Sequence, residues 1–160
     1  REQYENLKKI EAFVAPGVAR IAGIKEPDTV LECKFSIRYC VALGLAGSMV
    51  HGRDFTEAAV RESDTRILMS KVRVVPVEGR KMLDAAVKVT FTDGSMVEAD
   101  VPLSLGHPGN PMGWSELETK FGRSVEPELG AKTLSLFNSL KTFQAPGSLQ
   151  QVWQLLSPLG

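Results

Sequence analysis

An α+β fold is predicted by three features of the chain. Two alternating apolar runs meet at Asp93-Gly94, a helical segment after Ser36 is apolar on nearly every face, and everything beyond a Gly- and Pro-rich linker is helical. The predicted order is strand, loop, buried helix, two helices, strand, hairpin, linker, helices. Residues 1–104 form the α+β part, and residues 105–160 form the linker and a helical C-terminal tail.

Each element has its own signal. Between Leu7 and Val14, Ile10, Ala12 and Val14 alternate with Glu11 and Phe13, which predicts a strand that Pro16-Gly17 ends. Val18 to Leu31 reads as loop, punctuated by Gly23, Pro27 and Asp28. From Ser36 onward, Ile37, Cys40, Val41, Gly44 and Leu45 fall at helical spacing, and Tyr39, Ala42, Leu43 and Ala46 make the other faces nearly apolar too. A helix apolar all round is buried, and Ser36 is placed to cap it. Asp54 with Glu57 predicts a second helix start by a capping-box pattern, and a third helix starts near Ser63. Val72 to Val77 reads as a strand. Val87, Val89 and Phe91, then Val97, Ala99 and Val101 after Asp93-Gly94, form the clearest hairpin signal. Ser104 to Gly113 has linker composition, and Ser115 with Glu118 and Ser148 with Gln151 repeat the capping-box pattern.

Composition narrows the function. With 160 residues the chain can bury a core, and 43% hydrophobic residues make it globular. Lys plus Arg equals Asp plus Glu at 19 each, so no basic excess calls for nucleic acid or an anionic membrane. The longest apolar stretch, Ile37 to Val50, is too short and too broken to span a bilayer. Cys33 and Cys40 lack both a disulfide framework and metal-ligand spacing, and are expected as reduced thiols in a cytosolic-type compartment. His51 and His107 each sit beside glycine and are expected as solvated loop residues rather than metal ligands. No phosphate-cradling Gly-rich loop and no G-x-S-x-G is present.

One cluster can carry chemistry. Cys33-Lys34-Phe35-Ser36-Ile37-Arg38-Tyr39 places Lys34, Ser36, Arg38 and Tyr39 at the start of the buried helix. A helix N-terminus offers free N–H groups and a positive dipole end, so a carboxylate can be held there. The alternative is a capped helix with a snorkelling lysine and a core tyrosine.

The run Glu32 to Leu43 resembles the lysine–phenylalanine–serine–leucine–proline–tyrosine stretch of the MmgE/PrpD family, which includes 2-methylcitrate dehydratase, cis-aconitate decarboxylase and iminodisuccinate epimerase. Val18 to Thr29 resembles the loop before that helix, and Asp54-Phe55-Thr56-Glu57 its next helix start. Gly106-His107-Pro108-Gly109-Asn110-Pro111-Met112, followed by Trp114 to Phe121, resembles the family's proline-rich exit. The resemblance covers nearly the whole chain. It implies a small lid-type domain whose last helices return to a large helical domain outside this sequence. An opening on Arg1 rather than Met fits a carboxy-terminal portion of that larger enzyme.

What the resemblance implies is a cytoplasmic, homo-oligomeric lyase or isomerase for small di- or tricarboxylic acids. It would work by proton abstraction next to a carboxylate, without metal, nucleotide or other cofactor, and without nucleic-acid or membrane partners. Lys34 would neutralise a substrate carboxylate, Ser36 would hydrogen-bond it, and Tyr39 would hydrogen-bond it and relay a proton. Arg38, where the family has proline, would add an anion contact or merely face solvent. Alone, the chain is expected to lack a complete active site. A rival expectation from another class is a free-standing, non-catalytic binding or assembly module derived from the same lid.

Overall fold

The structure is a computed structural model that describes residues 4–157. The chain divides into two compact units, Arg1–Ser104 and Leu105–Gly160. The first is built on a four-stranded mixed sheet and carries helices on it, the α+β class that the sequence predicts. Its strands are β1 (Leu7–Val14), β2 (Val72–Pro76), β3 (Ala85–Phe91) and β4 (Met96–Val101), in the order β2-β1-β3-β4. β1 runs parallel to β2 and antiparallel to β3, and β3 is antiparallel to β4.

Register explains the core. Ile10 pairs with Val72 on one side and Val89 on the other, so one face of the sheet is aliphatic across three strands. The helix predicted from Ser36 is α3 (Ile37–Leu45). Its Ile37, Val41 and Leu45, four residues apart, pack on the sheet cluster of Ile10, Ala12, Val72 and Val89. Its other faces give Tyr39, Ala42 and Leu43 to a second cluster with Cys33, Val60, Leu68 and Met69. Two cores on opposite sides of one helix are why its sequence shows no polar stripe.

The hairpin forms where Asp93-Gly94 marks it. Gly94 has a φ of 86°, a left-handed conformation that glycine adopts without strain. The Asp93 carboxylate accepts from the Ser95 N–H at 2.8 Å and from its hydroxyl at 2.7 Å. Hydrogen bonding of this kind holds the Asp93 carboxyl below the usual carboxylate range.

The segment expected as loop from Val18 to Leu31 is partly helical. It overlaps α1 (Pro16–Ile21), where Pro16 opens the first turn, and α2 (Val30–Lys34). A proline at a helix start costs no hydrogen bond and presets φ, so Pro16-Gly17 begins a helix as it ends the strand. At α2, Thr29 and Glu32 form a reciprocal capping box. The helix expected at Asp54 begins later, as α4 (Glu57–Val60), because Thr56 takes the cap. Asp54 instead closes a short 3₁₀ turn, Gly52–Asp54, and accepts from the Ser48 hydroxyl and the His51 N–H, both at 2.7 Å. α5 (Ser63–Lys71) follows, capped by the Glu62 carboxylate.

The second unit holds α6 (Trp114–Leu129), α7 (Lys132–Lys141) and α8 (Ser148–Leu156). Trp114 and Phe121 of α6 meet Phe137 of α7, at 6.2 and 5.5 Å between ring centroids. The two capping boxes expected here do not form. Gly113 and Gly147 hold the cap positions, and the Ser148 hydroxyl donates to the carbonyls of Thr142 and Ala145. Among the described residues, no helix is long and apolar enough to cross a membrane.

Candidate functional site

The junction between α2 and α3 is pinned from two directions. The Ser36 hydroxyl accepts from the Tyr39 N–H at 3.3 Å, the capping bond expected of it. The same hydroxyl donates to the Ile24 carbonyl at 2.7 Å. Main-chain bonds from Ile37 N–H to the Ala22 carbonyl and from Ile24 N–H to the Phe35 carbonyl stitch loop 22–24 to the helix start. Gly23 bridges to Ser36 in this stitch, and a Cβ on Gly23 would lie 2.1 Å from the Ala19 carbonyl oxygen. The backbone passes too close here for any side chain.

Tyr39 is held by this junction and closed from solvent, with 0% exposure. Its ring lies against Phe55, with centroids 5.9 Å apart. Its hydroxyl is buried and finds no hydrogen-bond partner among the described residues. A buried hydroxyl without a partner costs about 1–3 kcal/mol and calls for an explanation. Burial pushes the phenol up to about 12, so at neutral pH it is a proton donor and not an anion.

Lys34 closes α2 and is exposed. Its ammonium lies over the Phe55 ring, 5.9 Å from the centroid. Phe55 therefore joins Lys34 and Tyr39 through one aromatic ring. Arg38 stands elsewhere: it lines a pocket with Lys25 and Arg73 that includes neither Lys34, Tyr39 nor Phe55. So Lys34 and Tyr39 come together, Ser36 positions the junction with its hydroxyl engaged by the backbone, and Arg38 belongs to another surface.

Phe55 is the member that residue-type reasoning missed. A phenylalanine carries no chemistry of its own, and its contact with Tyr39 is tertiary. The one signal was its place in the run Asp54-Phe55-Thr56-Glu57. His51, expected as a solvated loop residue, is half-buried instead, and its Nε2 is enclosed without a partner among the described residues. Cys33 and Cys40 are free thiols, both pushed up chiefly by burial. Among the described residues, no group of three or more His, Cys, Asp or Glu comes together to hold a metal.

Comparison with curated proteins finds no match. The family model described as the MmgE/PrpD C-terminal domain matches residues 1–139, which takes in the sheet, the Lys34–Phe55–Tyr39 cluster and most of α7. The chain therefore belongs to the MmgE/PrpD family and carries its C-terminal domain.

Proposed function

We propose that this chain is the lid part of an MmgE/PrpD-type lyase or isomerase acting on small di- or tricarboxylic acids. The intact enzyme removes a proton next to a carboxylate, then loses water or carbon dioxide or is reprotonated on the other face. Such a reaction needs a base, an acid and cations that stabilise an enolate-like intermediate. In this assignment Lys34 neutralises a substrate carboxylate. Tyr39 hydrogen-bonds it and relays a proton as a neutral phenol. Ser36, itself buried with its hydroxyl spent on the backbone, fixes the helix mouth on which both depend.

The observation that carries this reading is the buried Tyr39 hydroxyl without a partner, beside an aromatic ring that also holds a lysine. A purely structural tyrosine at that place would gain by losing its hydroxyl. A substrate group offsets that cost when the packing over the hydroxyl opens to admit it.

The rest of the enzyme is also expected to meet the second unit. On α8, Leu149, Trp153 and Leu156 lie on one stripe and are exposed at 67%, 73% and 52%. Exposed apolar stripes mark interaction surfaces. They support a homo-oligomer or docking on the large helical domain.

The test is a pair of substitutions in the intact enzyme. Lys34→Ala should raise KM for a dicarboxylate about tenfold, the value of one charge-assisted hydrogen bond, and leave Tm unchanged. Lys34→Arg should recover part of that loss. An unchanged KM in Lys34→Ala would remove the lysine from the site.

A further inference from the structure

The Lys25–Arg38–Arg73 pocket is a second surface with a charge pattern of its own. Its cavity is about 460 Å³, and Ala19, Gly23, Val74 and Pro76 complete its wall. That volume lies within the range of small-ligand sites. Its three cations come from three separate elements: the loop after α1, the first turn of α3 and the edge strand β2. No acidic residue lines it. Among the described residues, none of the three cations has an ion-pair partner. Glu11 is the cross-strand neighbour of Arg73, but its carboxylate is taken by Lys9 at 2.6 Å.

Three like charges around one cavity repel each other, and among the described residues no carboxylate is paired with them. The same arrangement becomes favourable once an anion occupies the cavity. Two of the three are arginines, whose planar forks match carboxylate and phosphate oxygens in pairs. Gly23 also matters to the wall. Because no side chain fits there, the loop lies close against α1 and Lys25 is carried on a fixed backbone. Arg38 is half-buried, whereas Lys25 and Arg73 are exposed.

We propose that this pocket binds a compact anion with two or more negative charges, either a di- or tricarboxylate or a phosphorylated small molecule. It is distinct from the Lys34–Phe55–Tyr39 cluster, with which it shares no residue. Two charges are required because a single carboxylate can satisfy only one arginine fork and would leave the remaining cations opposed.

The experiment is a titration of the full 160-residue chain with citrate, with pyrophosphate and with acetate at constant ionic strength, followed by the backbone amide shifts of Gly23, Arg38 and Val74. Saturable shifts with citrate or pyrophosphate, and none with acetate, are expected. Whichever of the two binds more tightly identifies carboxylate or phosphate as the ligand chemistry. Arg38→Gln and Arg73→Gln should each weaken that binding about tenfold. Lys8→Gln, an exposed charge outside the pocket, should leave it unchanged. Lys34→Ala should also leave it unchanged, which separates failure of this pocket from failure of the proposed active site. Shifts that stay linear with concentration, acetate binding as tightly as citrate, or equal weakening by Lys8→Gln would overturn the proposal.

Discussion

At the residue scale, Tyr39 sets the terms. Its phenol titrates at about 12 in the folded chain against an ordinary value of 10.0, because burial penalises the phenolate. The unfolded chain therefore releases this proton first as pH rises. The contribution to stability is complete below the ordinary value and is lost as pH climbs through the folded value. Urea melts across that window should show the wild type losing stability faster than Tyr39→Phe, and parallel curves would refute the burial assignment. Tyr39 was legible as a candidate because it stands three residues after its cap, one turn along the same side of the helix. Arg38 looked equivalent by proximity, yet consecutive helical residues are about 100° apart around the axis, which is enough to send it to another pocket. Phe55 was not legible, since only tertiary packing brings it to Tyr39.

At the scale of elements, the α2–α3 junction depends on a close backbone approach at Gly23. Gly23→Ala forces a Cβ toward the Ala19 carbonyl and should cost about 1–3 kcal/mol, as overpacking does. Chemical denaturation of the two chains measures it, and equal midpoints would contradict the stitched junction. The strands and α3 were legible because period-2 and all-round apolar patterns follow from burial itself. Helix starts were less so. Ser36 caps α3 because its neighbours leave no better oxygen, whereas at Asp54 the next threonine lies closer to the first turn. Near Ser115 and Ser148 a glycine takes the cap, and the hydroxyl of Ser148 bonds carbonyls instead. A serine with an acid or amide three residues on is a common pattern, and backbone geometry decides between candidates.

At the scale of the molecule, family membership fixes the domain but leaves the reaction to be measured. The purified 160-residue chain should turn over neither 2-methylcitrate nor cis-aconitate, since with Lys34 acting as a carboxylate-binding cation and Tyr39 as a neutral phenol the cluster supplies no general base. Turnover by it would contradict the lid assignment. Sedimentation should show concentration-dependent association through the α8 stripe that Trp153→Ser weakens, and a monomer at all concentrations would argue against it. How these surfaces meet the rest of an enzyme could not be read from the sequence, because an apolar stripe shows that cover is needed and not what supplies it. The proposed chemistry turns on one hydroxyl, and Tyr39→Phe in the intact enzyme removes that hydroxyl alone. Loss of a proton-transferring group should lower kcat by about a hundredfold or more, while Tm holds or rises because an unpartnered hydroxyl has gone. An unchanged kcat would return Tyr39 to the core as packing and contradict the proposed role of this domain.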